Sequence, residues 1–275
     1  MAKPRTDFPP VRACLFDMDG LLINTEDIYT ICHNILLQTH NAGPMTWDIK
    51  SQLQGRPANE SILRLLSFFN LPQVNPETYT TDLHKVQERE FPNAKPLPGV
   101  EALLQTLSTS ENGGRKIHIA LATSSHEGHF KLKTQHLEDM FGVFTKERRI
   151  LGDDKRIPKG RGKPSPDIYL VALKAINDTL DEGEDEIKPE ECLVFEDGIP
   201  GVIAGRRAGM RVVWVPHPGL ANQYVGREAE VLAGRGEGGE LVDEHQPGQV
   251  GDGWAEQLVS LVGFPYERYG IVTGK

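Results

Sequence analysis

Five short runs have strand length and β-prone composition: 11–16 (VRACLF), 117–122 (IHIALA), 143–145, 192–195 (CLVF) and 211–215 (RVVWV). Helix-like segments separate the later runs, at 100–110, 126–140, 166–178 and 199–208. Strands alternating with helices point to a parallel sheet built from right-handed β-α-β units. The first run breaks this rhythm. Four helix-like stretches follow it, at 24–40, 46–54, 58–69 and 76–90, with no convincing strand among them. The first opens on Asn24-Thr25-Glu26 and spaces Ile28, Ile31, Cys32, Ile35 and Leu36 for one helical face. A proline-rich stretch, 91–99, ends the helical region. The expected fold class is α/β: a Rossmann-like parallel-sheet core over 1–22 and 96–275, with an inserted α-helical domain over 23–95. The Gly- and Glu-rich residues 226–253 read as a mobile surface loop, and 254–262 as a last helix.

The strand at 11–16 ends in Asp17-Met18-Asp19-Gly20. Two carboxylates at the end of a buried strand need either a solvated turn or a cation, because each loses hydration and raises the pKa of the other. Ligands of parallel α/β sheets bind at the carboxyl ends of the strands. Three more polar groups belong to that edge: Thr123-Ser124-Ser125 after the second strand, Glu196-Asp197 after the fourth, and Lys163 in Gly162-Lys163-Pro164-Ser165-Pro166-Asp167. Clustered oxygen ligands suit a hard ion such as Mg²⁺. Hydroxyls and amides at a helix start suit phosphate oxygens, and a lysine neutralises remaining charge. One aspartate can then act as nucleophile and another as proton carrier. Blander roles compete: a turn for the aspartates, a helix cap for Thr123 and Ser124, a solvated surface for Lys163 within the basic run Lys155, Arg156, Lys159 and Arg161. His126 and His129 lack an evident third metal ligand.

The chain has 275 residues and a net charge of −9, from 30 basic and 39 acidic residues, which argues against a nucleic-acid partner. Three cysteines without C-x-x-C spacing suit a reduced, cytoplasmic compartment. No run approaches the roughly 18 apolar residues of a membrane span.

Asp17-Met-Asp-Gly20, Thr123, Lys163 and Glu196-Asp197 stand in the order and context of the haloacid-dehalogenase-like superfamily, which the chain resembles. The resemblance implies a Rossmann-like core with a helical cap. It implies that Asp17 is the nucleophile and a Mg²⁺ ligand, and that Asp19 is the general acid and then base, with its backbone carbonyl on the metal. It also implies that Thr123 and the Ser124 amide hold the phosphoryl group, that Lys163 pairs with Asp17 and the phosphate, and that Asp197, with Glu196 directly or through water, ligates Mg²⁺. An aspartate at position 19 separates phosphatases and phosphomutases from dehalogenases of this fold. Sugar phosphomutases of the type carry a histidine where this chain has Tyr29, which favours a phosphatase. Asn24 departs from the usual aspartate, though both can cap a helix. Asn24–Tyr29, Trp47–Ser51, Gly55-Arg56, 120–125, 151–154 and 192–197 are together similar to the eukaryotic pseudouridine-5′-phosphatase branch. By that resemblance Gly55 and Arg56 reach over the site, with Arg56 a substrate contact. The expected activity is Mg²⁺-dependent hydrolysis of a small phosphate monoester, a nucleotide or sugar phosphate such as pseudouridine 5′-phosphate, by a monomer. The alternatives are a sugar phosphomutase and a catalytically idle phosphate-binding protein.

Overall fold

The structure, a computed structural model, describes residues 5–54, 58–112, 115–235 and 248–273. Strand β1 (Ala13–Phe16) is followed by helices α1 (Thr25–Thr39), α2 (Trp47–Lys50), α3 (Ala58–Phe68), α4 (Pro76–Glu90) and α5 (Val100–Thr109). A short ribbon, β2 (Glu111–Asn112) with β3 (Arg115–Lys116), leads into β4 (His118–Ala122). Then come α6 (Glu127–Thr134), α7 (Glu138–Phe141), β5 (Arg149–Ile150), α8 (Asp167–Asn177), β6 (Cys192–Glu196), α9 (Ile199–Arg207), β7 (Arg211–Trp214), α10 (Pro218–Gln223), α11 (Glu228–Leu232) and β8 (Ala255–Gln257).

The main sheet has the order β5-β4-β1-β6-β7-β8, with every neighbouring pair parallel. β1 is central, and its apolar run is continuous rather than alternating because both faces are covered. Ala13 and Leu15 join one core with α8 and α9. Cys14 and Phe16 join the other, which continues without a break into α1, α3 and α4 through residues such as Ile28, Leu65 and Leu83. Phe16 lies flat on Phe195 at 4.5 Å between ring centroids.

The helical segment is tied at its ends. Asn24 N donates to Lys95 O at 3.0 Å, Lys95 N donates to Asn24 Oδ1 at 2.8 Å, and Leu97 N donates to Leu22 O at 3.0 Å. The Asn24 side chain therefore does not cap α1. It fastens the chain that leaves the sheet to the chain that returns.

Four expectations change. Residues 126–140 form two helices, and the turn between them brings Met140 and Phe141 into the core. The run 143–145 is not a strand: Phe144 is apolar because it packs on Phe16 and Phe141, and the edge strand lies further on, at β5. Residues 254–262 begin with strand β8 rather than a helix, and Val259 and Val262 face solvent. The supposed loop at 226–253 contains α11, whose Val231 is fully buried, and Arg206 holds Asp252 at 2.6 Å. Within that stretch, 236–247 lie outside the described residues. Among the described residues no helix is long and apolar enough to cross a membrane.

Candidate active site

Asp17 directly follows β1, Thr123 follows β4, Glu196 ends β6 and Asp197 follows it. Because β1 lies between β4 and β6 in parallel register, these groups share one edge of the sheet. Lys163 reaches them from the loop before α8. Its Nζ lies 2.5 Å from Asp17 Oδ1, 2.7 Å from Glu196 Oε1 and 2.9 Å from the Ala122 carbonyl, which occupies all three ammonium hydrogens. The Tyr169 hydroxyl donates to Glu196 Oε1 at 2.5 Å, and the amides of Asp197 and Gly198 donate to Oε2. Glu196 is thus fixed from both oxygens. The backbone leaves no slack here. Gly20 has φ +83°, and a Cβ on it would stand 2.3 Å from Asp197 Oδ2.

Asp17, Glu196 and Asp197 are buried, and they offer oxygens all within 4.8 Å of one another, a set that could hold a metal ion. Burial, together with the Glu196 and Asp19 charges, outweighs Lys163 and pushes the Asp17 carboxyl up to about 7. Burial and the charges of Glu26, Asp17 and Glu196 push Asp197 well above the carboxylate range. Five carboxylates (Asp17, Asp19, Glu26, Glu196, Asp197) face three ammonium groups (Lys50, Lys133, Lys163) among the described residues. With all five ionised, as a bound cation would keep them, two negative charges are left uncompensated, and this and the all-oxygen donor set fit a hard divalent cation.

Asp19 sits in a separate cradle. Its Oδ1 accepts from Lys133 Nζ at 2.6 Å and Thr25 Oγ1 at 2.7 Å, and its Oδ2 accepts from Ser125 Oγ at 2.7 Å and Thr123 Oγ1 at 3.4 Å. Burial alone would raise the Asp19 pKa, but the Lys133 charge and these hydrogen bonds hold it below the ordinary value. Lys133 is itself fully buried. It also donates to Tyr29 Oη at 2.9 Å and Ser125 Oγ at 2.8 Å, and lies over the rings of Tyr29 and Phe91. Sequence reasoning missed Lys133 and Thr25, and placed Ser125 at the sheet edge without giving it a role. The available signal was the buried stripe of α6, Phe130-Lys133-Thr134, where a lysine stands at an apolar position.

Neither Thr123 nor Ser124 caps α6. His126 does, accepting from His129 N at 3.4 Å. Thr123 is buried and accepts from Ser125 N at 3.1 Å, while Ser124 is exposed at the site. In the basic run, Arg156 pairs with Asp154 and Arg161 with Asp167, so only Lys163 reaches the carboxylates. Gly55 and Arg56 lie outside the described residues.

Two cavities meet at Asp19, Glu26, Gln54 and Ser124. One, of about 950 Å³, opens past Asp48, Glu60, Arg64 and Arg227. The other, of about 400 Å³, runs between the helical segment and the start of α6. Trp47 of α2 stacks on His217 at 4.6 Å and occupies the space a Cβ on Gly219 would need. Asp27 lies 3.2 Å from His217 Nε2.

Residues 11–209 match the family model described as "Hydrolase: haloacid dehalogenase-like hydrolase". The chain belongs to this family. Among relatives of this hydrolase, a protein described as a probable pseudouridine-5′-phosphatase of Saccharomyces cerevisiae is 45% identical over 227 residues, 82% of this chain and 91% of that one. (DL)-Glycerol-3-phosphatase 1 of Arabidopsis thaliana is 32% identical over 220 residues, 80% of this chain and 68% of that one. A solved HAD hydrolase, family IA, variant 3, from Entamoeba histolytica matches with a TM-score of 0.64 at 21% identity, covering 94% of this chain and 98% of that one, which supports the fold. Family and relatives together make the hydrolase a phosphoric monoester hydrolase.

Proposed function

We propose that this hydrolase is a Mg²⁺-dependent phosphatase that cleaves a small phosphate monoester, a nucleotide or sugar phosphate, through an aspartyl-phosphate on Asp17. The observation that carries this reading is the contrast between two aspartates two residues apart. Asp17 lies in a carboxylate-rich pocket short of positive charge, and Asp19 in a cradle of donors. Environments that push paired carboxylates apart assign them different roles.

Asp17, Asp197 and the Asp19 carbonyl would hold Mg²⁺, with Glu196 as a direct or water-mediated ligand. When bound, the ion neutralises carboxylate and phosphoryl charge and keeps Asp17 ionised. Asp17 Oδ attacks phosphorus in line with the ester oxygen. Asp19 takes up a proton from solvent as it leaves the Lys133 cradle; the P–O ester bond then breaks, and that proton leaves with the alcohol. Asp19 then takes a proton from water. The water oxygen bonds to phosphorus, the Asp17–phosphorus bond breaks, and phosphate leaves with Asp17 regenerated. Thr123 and the Ser124 amide hold the phosphoryl oxygens, Lys163 turns to them from Asp17 Oδ1 as that carboxylate bonds to phosphorus, and this positioning and charge supply most of the rate enhancement. Asp19 must turn from its cradle toward the leaving oxygen in each cycle.

Residues 23–95 act as the cap, which closes over the substrate to exclude water during the first transfer. Its two tied chains beside Asn24 supply the hinge, and the Trp47–His217 stack supplies a second contact with the core. Cys14, Cys32 and Cys192 are free and buried, which suits a cytoplasmic enzyme. We read it as a monomer acting on a metabolite, with no nucleic-acid or membrane partner.

The test is phosphate release from a panel of monoesters with Mg²⁺ and with EDTA, alongside Asp17→Asn. The panel includes pseudouridine 5′-phosphate, other nucleoside 5′-phosphates, hexose phosphates and glycerol 3-phosphate. Turnover that needs Mg²⁺ and vanishes in the variant supports the reading. Wild-type release that EDTA leaves intact contradicts it.

A further inference from the structure

Glu196 is boxed in on every side the sheet edge offers. Among the described residues, its Oε1 accepts from the Tyr169 hydroxyl at 2.5 Å and pairs with Lys163 Nζ at 2.7 Å, while its Oε2 accepts from the amides of Asp197 and Gly198 at 3.1 and 3.3 Å. Those four partners match the roughly four lone-pair sites of an ionised carboxylate. A Cβ on Gly201 would stand 1.7 Å from Oε1, so the carboxylate lies directly against the first turn of α9.

Two of the four partners are side chains, and they differ in what else they do. Lys163 also pairs with Asp17 Oδ1 at 2.5 Å, and it turns to the phosphoryl group when that carboxylate bonds to phosphorus. Tyr169 stays where it is. It is fully buried on the inward stripe of α8, which it shares with Ile168, Ala172, Leu173 and Ile176. Phenylalanine would fill the same space in that apolar core. The hydroxyl is the part the core does not call for, and its hydrogen bond goes to Glu196. The ring lies under the Lys163 ammonium, with Nζ 5.2 Å from the ring centroid.

We infer that Tyr169 is a positioning residue of the cation site: its hydroxyl holds Glu196 Oε1 while Lys163 moves, and so keeps Glu196 in place beside Asp17 and Asp197 for a divalent ion. It acts through Glu196. The inference rests on the Mg²⁺-dependent phosphatase reading and adds to it a residue outside the ligand set. Groups that hydrogen-bond to a metal-ligating carboxylate fix its orientation, and losing one typically costs about 10–100-fold in metal affinity. Without the hydroxyl, Glu196 Oε1 depends on Lys163 alone among side chains, and Lys163 is the group that has to leave.

The test separates metal binding from catalysis. Tyr169→Phe keeps the ring beneath Lys163 and removes the hydroxyl alone. Calorimetric titration of the metal-free full chain with Mg²⁺, in the absence of substrate, reads the site without any chemical step. Mg²⁺ affinity is expected to fall about ten-fold or more in the variant. The melting temperature of the metal-free variant should stay within about 4 °C of the wild type, the scale of one hydrogen bond in a chain of this length. With substrate, the Mg²⁺ concentration for half-maximal phosphate release should rise about ten-fold, and saturating Mg²⁺ should restore most of kcat. Equal Mg²⁺ affinity in wild type and Tyr169→Phe overturns the inference. So does a kcat deficit that saturating Mg²⁺ leaves unrelieved, accompanied by a melting temperature lowered beyond that range, which would mark Tyr169 as structural. A wild-type chain that binds no Mg²⁺ overturns the metal-dependent reading and the inference with it. If Mg²⁺ binds and the variant weakens it while no ester is hydrolysed, the phosphatase reading fails and the assignment of Tyr169 stands.

Discussion

Two buried lysines serve this site, and they serve it differently. Lys163 lies among Asp17, Glu196 and the Ala122 carbonyl, where three clustered carboxylates outnumber it and the remaining charge calls for a cation. Lys133 lies against Asp19 alone, and two hydroxyls donate to that carboxylate at 2.7 Å. The first centre is left short of positive charge and can accept a metal and a phosphoryl group. The second is complete as it stands and holds an ionised aspartate ready to be released. A phosphoryl-transfer site needs both: one place that is incomplete until substrate arrives, and one that stores the proton carrier until then.

The comparison breaks most visibly at Lys163. Lys163→Met leaves Asp17 and Glu196 facing each other without compensation. Phosphate release should fall by at least about 10³-fold, and chemical denaturation should show a loss of about 3–5 kcal/mol. Lys133→Met removes the ammonium group of the Asp19 cradle but keeps Thr25 and Ser125. We expect kcat to fall about 10²–10⁴-fold, the range of lost general acid–base catalysis, with a smaller stability loss than at Lys163. If Lys133→Met retains wild-type kcat, the cradle is structural and the contrast between the two centres fails.

Thr25→Val sharpens the picture at lower amplitude. It removes one charge-assisted hydrogen bond from Asp19, so kcat should fall about ten-fold and stability by about 1–2 kcal/mol. A stability loss of that size with unchanged kcat would assign Thr25 to packing alone.

A further effect concerns pH, touches stability and not catalysis, and lies in the helical segment. Burial and the Lys50 charge push the His33 imidazole down to about 4. Between the ordinary value near 6.5 and about 4, the unfolded chain takes up a proton that the folded chain refuses. Stability therefore falls as pH drops through that window and is fully present above it. Urea unfolding from pH 7 to 4 should show this slope, and His33→Phe should flatten it.

The legible and illegible parts of the molecule divide along the same line. Asp17, Thr123 and Asp197 follow strands, and strand ends are readable because an apolar run stops at a polar residue, while Lys163 is legible from its Gly162-Lys163-Pro164-Ser165-Pro166-Asp167 context. Lys133 sits eight residues inside the segment that begins at Ser125, on a helix face, and its meaning depends on which way that face turns. Asn24 reads as a helix cap locally, but its partner Lys95 is 71 residues away. The stretch 254–262 misled because β8 is held by β7, not by any pattern of its own, and 143–145 because Phe144 is apolar for reasons of packing. Long-range partners decided each of these, and local periodicity does not contain them.

The most direct test of the account is to find the phosphoryl group on the protein. A single-turnover reaction with a ³²P-labelled substrate from the panel, quenched in acid, is digested and mapped. The account predicts a hydroxylamine-labile label on the peptide that carries Asp17, and no label in Asp17→Asn. A label on another residue, or phosphate release by Asp17→Asn at the wild-type rate, would contradict it.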